Sequence, residues 1–227
     1  MFLLALLATS GAVFPCNADQ VSCFHTDMTA TVLLIRHAAH VDLNRQLSGR
    51  RKGVALTDRG REQAAALGTR LAGRGLTRVE CSPLERTRDT ASAIAAACGL
   101  PQPSPVDALL ELDMGDWTGR EIHSFGDDAE WRTWNERRGT ARIPGGESMR
   151  EAQTRIVAHL RNVPSRETVA MVSHCDMIRA AVAYVVGLSL DNLLLFDIDP
   201  ASVTGVAIGD WGAKLLWLNG KNDSGEL

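Results

Sequence analysis

Two uncharged, β-branched runs, residues 31–35 (Thr-Val-Leu-Leu-Ile) and 168–173 (Thr-Val-Ala-Met-Val-Ser), constrain this 227-residue chain more than any other feature. Each has strand length and lacks the polar alternation of a half-solvated strand, so each reads as buried on both faces of a sheet. A sheet of that kind needs helices on both sides, and the intervening sequence supplies them. Thr57-Asp58 caps a helical pattern to Leu71 that stops at Gly73 and Gly75. Residues 79–82 form a second short strand, and Pro83 opens a helix through Ala97 with Gly99 at its end. Ser148 to Glu151 spells a capping box at the start of a helix reaching about Asn162. Residues 175–186 are apolar and Ala-rich, a buried helix ending at Gly187. A Pro-rich linker, 101–105, precedes residues 109–113, and a polar segment with Trp131 and Trp134, 116–145, is an irregular or helical insertion. Strands are expected at 194–198, 203–208 and 214–219, with a frayed tail over 221–227. The alternation predicts an α/β fold, a three-layer helix/sheet/helix sandwich with a mostly parallel central sheet.

Residues 1–27 stand apart. They contain no Lys or Arg, yet hold three of the five Phe and two of the five Cys. The run 2–13 resembles a signal-peptide core without the positive region that should precede it. The segment is expected to be a leader, a disordered stretch or a misassigned start, with the domain beginning at Met28 and extending to 220. A start at Met28 implies the cytoplasm, and a working signal peptide implies a periplasmic or secreted protein. The Cys spacings, at 16, 23, 81, 98 and 175, build neither a disulfide framework nor a metal site. With 24 Lys and Arg against 27 Asp and Glu, the net charge of −3 gives no general attraction to nucleic acid or an anionic membrane. Any anion site must be local.

Ligands in open α/β sheets bind beyond the carboxyl ends of strands, and two of the expected strands end in Arg36-His37 and Ser173-His174. Taken singly, a His after a buried strand is usually a hydrogen-bonded structural side chain, but two at equivalent ends point to a shared site. A third strand leads into Arg86 on the first turn of a helix, where the helix N-terminus and the guanidinium fork both suit phosphate oxygens. Glu111 is flanked by Leu109, Leu110 and Leu112, so its carboxyl is a candidate for a pKa raised toward general-acid range, unless it lies on the exposed face of a strand. Two Arg, two His and one Glu are the parts needed for phosphoryl transfer to a histidine.

Six segments then occur in a telling order: Leu33 to Ala38, Leu56 to Ala64, Ser82 to Ala91, Glu111 with Gly115 to Gly119, Pro144 to Ser148, and Val172 to His174. Together they resemble the histidine phosphatase superfamily, in its phosphoglycerate-mutase-like branch, over about residues 31–210. The resemblance implies that His37 is the nucleophile and that Arg36, Arg86 and a protonated His174 surround the phosphoryl oxygens. It implies that Glu111 protonates the leaving alkoxide and later takes a proton from water. An unprotonated attacking nitrogen requires the other His37 nitrogen to donate to a backbone carbonyl. No metal or cofactor is implied, and the partner is a small phosphorylated metabolite, with a homodimer left open.

The sequence departs from the family pattern after Arg36-His37, where Ala38, Ala39 and His40 stand. Asn44 lies one residue later than the usual pocket Asn. Asn44, Ser48, Gly49 and Cys175 are the candidate substrate-binding residues, with Cys175 a small buried thiol rather than a second nucleophile. His40 is either a substrate contact or a solvated loop residue, and His123 and His159 are expected at the surface. Residues 40–52 and the insertion, with Trp131, Trp134, Arg137 and Arg138, are expected to set selectivity. The leading function is a phosphatase for small phosphomonoesters. A cofactor-dependent phosphoglycerate mutase is the alternative, opposed by the short insertion, and a non-catalytic phospho-ligand module is a third.

Overall fold

The computed structural model describes residues 28–221, so the leader 1–27 and the end of the tail, 222–227, lie outside it. At its centre β1 (Thr29–Arg36) pairs in parallel with β4 (Thr168–Ser173), which pairs in parallel with β2 (Arg78–Cys81), and that in turn with the two-residue β3 (Ser104–Pro105). On the other side of β1, β5 (Val203–Gly209) and β6 (Gly212–Gly220) are antiparallel, giving the order β3-β2-β4-β1-β5-β6. The sheet is therefore mostly parallel, with an antiparallel hairpin at one edge.

Helices cover both faces, because alternate residues of the central strands point opposite ways. Leu33, Ile35, Ala170, Val172 and Val79 pack with α1 (Asp58–Leu71) and α2 (Glu85–Cys98) through Leu67, Leu71, Ala91 and Ile94. Val32, Leu34, Val169 and Met171 face the other way, onto α4 (Met149–Arg161) and α5 (Cys175–Val186) through Ile156, Leu160, Ile178 and Ala181. Full burial of each such Leu or Ile contributes about 1.5–3 kcal/mol, which is why the two runs admit no charge. The local signals behave as their chemistry requires. Thr57 accepts from Gly60 N, Ser148 and Glu151 close a capping box, and Gly99 and Gly187 end their helices at φ 65° and 68°.

Four expectations are corrected. Residues 194–198 are not a strand: Leu190–Leu195 is a 3-10 turn whose Leu194 and Leu195 are exposed. Residues 109–113 form no strand either, because the chain leaves a 3-10 turn at Asp107–Leu109 and runs without a ladder to the turn Gly115–Trp117. Pro83 lies before α2, whose N-cap is Leu84. The last strand is longer than expected, Gly212–Gly220 rather than 214–219, and Lys221 after it is ion-paired with Asp199. The insertion contains α3 (Ala129–Glu136), whose Trp131 and Trp134 both pack edge-on against Trp117.

Candidate active site

The parallel pairings bring three strand ends level. Ile35 and Cys81 both stand opposite Val172, Arg36 stands opposite Ser173, and His37 and His174 follow side by side. His37 N donates to Ser173 O at 3.0 Å and Ser82 N to Val172 O at 2.9 Å, continuing the ladder one step past the sheet. The turn from β2 into α2 is tied by Thr87 Oγ1, which lies 2.8 Å from Ser82 O and 2.6 Å from Leu84 O. Helix α2 then grips the segment after His37, for Thr90 Oγ1 accepts from Ala38 N at 3.0 Å and donates to Arg86 O at 2.7 Å. From α1, Gln63 accepts from Ala39 N at 3.0 Å, and a Cβ on Gly60 would lie only 1.9 Å from Ala39 O, so this position must be glycine.

His37, Arg86 and His174 are all buried in the resulting pocket. His37 Nδ1 lies 2.8 Å from its neighbour's carbonyl, Ala38 O. A carbonyl can only accept, so Nδ1 carries the proton and Nε2 keeps its lone pair, the tautomer expected from the sequence. Burial, then Arg86 and Arg36, hold its pKa well below the ordinary histidine value. The His174 ring meets that of His37 edge-on at 5.2 Å. Arg86 Nη2 donates to Gly49 O at 2.8 Å and stands 3.3 Å from His174 Nδ1, which takes the acceptor role and leaves Nε2–H to donate to Ser82 Oγ at 2.9 Å. The Nε and Nη1 of Arg86, a side chain only 1% exposed, find no acceptor in the protein. Arg36 Nη1 donates to Ile198 O at 2.6 Å, while its buried Nε also has no acceptor.

The resemblance implies a protonated His174 around bound phosphoryl oxygens, and the protein surroundings by themselves push the other way. Burial and the neighbouring Arg86 and His37 push its pKa well below the ordinary value, so the imidazole is neutral beside the two guanidiniums. Glu111 shifts the other way, its carboxyl raised to about 7 by burial and by the like charge of Asp176, against the pull of Arg86. Glu111 Oε2 lies 3.6 Å from His174 Nδ1, and Oε1 accepts from Leu112 N at 2.9 Å. The pocket thus joins a neutral nucleophilic nitrogen, the buried Arg86, the half-buried Arg36 and a carboxyl that holds its proton near neutrality.

The other candidates divide. Gly49, at φ 49°, meets Arg86 through its carbonyl, and Ser48 is buried with its hydroxyl donating to Asp42 at 3.1 Å. Asn44 is instead exposed in the left-handed corner of a turn, φ 59°, and its side chain forms no hydrogen bond among the described residues. That corner favours Asn for its backbone conformation. Cys175 is half-buried rather than buried, its Sγ donating to Ile198 O at 3.6 Å, and desolvation lifts its thiol to about 11. His40, left open by the sequence, is buried with its ring 5.0 Å from that of His37 and its pKa lowered to about 4, chiefly by burial. His123 is exposed beside Glu121, but His159 is not a free surface residue, since its Nε2 lies 2.6 Å from the buried Glu80. In the insertion Arg138 is buried and pairs with Asp176 at 3.2 Å, and Trp134 is core.

Sequence reasoning missed the groups around Glu111. Arg50, Glu147 and Arg155 surround its main chain, and Asp176 faces its carboxyl electrostatically. Glu147 lies in one of the six quoted segments, which was the only available signal. Among the described residues no three His, Cys, Asp or Glu side chains are grouped to hold a metal ion, and no helix is long and apolar enough to cross a membrane.

Residues 32–221 match the family model described as histidine phosphatase superfamily (branch 1). The chain is 30% identical over 196 residues to phosphoserine phosphatase 1 of Hydrogenobacter thermophilus, covering 83% of this chain and 91% of that protein. It is 36% identical over 164 residues to a probable phosphoglycerate mutase GpmB of Salmonella paratyphi B, covering 69% and 75%. The solved structure of a mycobacterial glucosyl-3-phosphoglycerate phosphatase superposes with a TM-score of 0.74 at 26% identity, covering 85% of this chain and all of that one.

Proposed function

The chain belongs to the histidine phosphatase superfamily (branch 1), and from that membership and its pocket we propose a phosphomonoesterase that hydrolyses small phosphorylated metabolites through a phosphohistidine on His37. One observation carries the proposal: the buried Arg86 aims donors without a protein acceptor beside a histidine whose Nε2 lone pair is free. A buried guanidinium is costly unless an anion meets it, and a phosphoryl group matches its fork.

In the first step His37 Nε2 attacks phosphorus as the P–O bond to the alcohol breaks, and the Glu111 proton passes to the departing oxygen. Arg36, Arg86 and His174 surround the equatorial oxygens, where charge spreads in a loose transition state. His174 starts neutral, and the arriving dianion favours its protonated form. In the second step water attacks the phosphohistidine, its proton goes to the Glu111 carboxylate, and the N–P bond electrons return to Nε2. Inorganic phosphate leaves, and both residues regain their starting forms. Gly49 and Ser48 shape the mouth of the pocket. A start at Met28 places the protein in the cytoplasm, and a working signal peptide in residues 1–27 places it in the periplasm or outside the cell.

The mutase reading is favoured by the name of the Salmonella relative and opposed by the insertion, whose Trp and Phe side chains are spent on packing against Trp117. Incubation with p-nitrophenyl phosphate, phosphoserine and 3-phosphoglycerate, with and without 2,3-bisphosphoglycerate, separates the two. Phosphate release, an acid-labile and alkali-stable phosphoenzyme, and loss of both in His37→Ala are expected. Isomerisation of phosphoglycerate stimulated by the bisphosphate would replace the phosphatase by a mutase, and a wild type that forms no phosphoenzyme would end both.

A further inference from the structure

Glu111 sits on an irregular segment, between the turn Asp107–Leu109 and the turn Gly115–Trp117, where no ladder fixes the backbone. Two guanidiniums converge on its carbonyl instead. Arg50 Nε donates to Glu111 O at 2.9 Å and Arg155 Nη2 at 3.1 Å, with Arg155 Nη1 on Ala108 O at 2.8 Å. Between them stands the Glu147 carboxylate. It accepts from Arg155 Nε at 2.9 Å and Nη2 at 3.1 Å, from Arg50 Nη2 at 3.1 Å and from Asp113 N at 3.3 Å. The Glu147 main chain adds a bond from its N to Asp113 O at 3.0 Å. That approach is possible because the preceding residue is glycine: a Cβ on Gly146 would lie 2.4 Å from Asp113 O.

We propose that Arg50 and Arg155, held in their orientation by Glu147, are positioning residues that fix Glu111 as the proton donor and tie it to the segment carrying the phosphate site. The inference rests on the phosphatase reading. Arg50 follows Gly49, whose carbonyl accepts from Arg86, so adjacent residues of one loop hold the phosphate-binding cation and the acid. Glu147 gives both guanidiniums a charge-matched acceptor, and its bidentate contact with Arg155 sets that fork's plane. Glutamine in its place keeps the shape but removes the charge and one acceptor oxygen, so both forks lose their common anchor.

In kcat/KM, which covers the steps up to release of the alcohol, a misplaced acid matters only where the leaving oxygen needs a proton. The test compares kcat/KM for phenyl phosphate, with a poor leaving group, and p-nitrophenyl phosphate, with a good one, in wild type, Glu147→Gln and Glu111→Gln. Glu147→Gln is expected to lose about tenfold or more with the phenyl ester and less than about threefold with the nitrophenyl ester, a fraction of what full loss of a general acid removes. Adding it to Glu111→Gln should cost nothing further with the phenyl ester, because both act through one proton. Before the steady state the single variant should release a burst of nitrophenolate, since water attack also needs Glu111. Equal losses with the two esters, or additive losses in the double variant, overturn the proposal and leave the phosphatase reading intact. A wild type inactive on both esters overturns the two together. Arg50→Met, at a side chain 33% exposed, repeats the leaving-group comparison should Glu147→Gln fail to fold.

Discussion

The two ends of the pocket are built in different ways. At the phosphate end, His37, His174 and Arg86 stand one step beyond hydrogen-bonded strands or on the first turn of a helix, so repeating backbone structure sets their positions. At the acid end, Glu111 stands on an irregular segment, and side-chain ion pairs from Arg50, Glu147 and Arg155 do the work of a ladder. The contrast suits the chemistry. Binding a phosphoryl group needs fixed cations, and the carboxyl ends of central strands and a helix first turn fix them. A carboxyl that must hold and release a proton needs burial and a tuned neighbourhood, which distant charged residues can supply. The difference also separates failure modes in the first chemical step, since damage at the phosphate end weakens that step for every ester whereas damage at the acid end is selective for the leaving group.

The largest expected effect tests the phosphate end. Arg86→Lys keeps the charge but loses the fork, and kcat/KM should drop by about 10²–10³ for phenyl and nitrophenyl esters alike, as for loss of a transition-state donor. A loss confined to the phenyl ester would erase the distinction between the ends. Next comes the acid itself, where Glu111→Gln should cost about 10²-fold or more with phenyl phosphate and far less with the nitrophenyl ester. The pH profile sharpens the same point. Glu111 works first in its protonated form, so kcat/KM should fall as pH rises through about 7, once corrected for ionisation of the ester. His37 attacks as the neutral imidazole, and its lowered pKa places the acid limb well below the ordinary histidine value. Glu111→Gln should remove the alkaline limb and keep the acid one.

Smaller effects probe the scaffold. Gly60→Ala forces a methyl against the Ala39 carbonyl, and a loss of about 1–3 kcal/mol in chemical denaturation is expected from overpacking. The smallest effect belongs to Asn44→Gly, which relieves a left-handed corner remote from any hydrogen bond of the pocket and should leave kcat/KM within about twofold of wild type. A tenfold loss there would return Asn44 to the pocket.

What was legible in the sequence divides along the same line as the pocket. The parallel strands betray themselves because burial on both faces demands an unbroken apolar run, and the residues that end such runs, Arg36, His37 and His174, inherit their positions from the sheet. The helix around Arg86 shows through its Gly99 stop, and the capping box at Ser148 is a local chemical signature. Residues 194–198 misled because a leucine-rich stretch looks alike whether it pairs in a sheet or turns at the surface. The Glu111 segment hid because it has no period, and its clamp reaches it from Arg50 and Arg155, 61 and 44 positions away, with Arg50 and Glu147 97 positions apart.

The sequence by itself determined the strand and helix alternation, the three-layer sandwich and the identities of the chemical groups, since each is written in local periodicity, caps and residue type. Only the tertiary structure decided how those groups are charged and held. Desolvation and the nearby Arg86 hold the His174 pKa well below the ordinary value, and Glu111 reaches a pKa of about 7 because burial and Asp176 outweigh Arg86. Protonation depends on everything within a few ångströms in space, and chain neighbours are a small part of that.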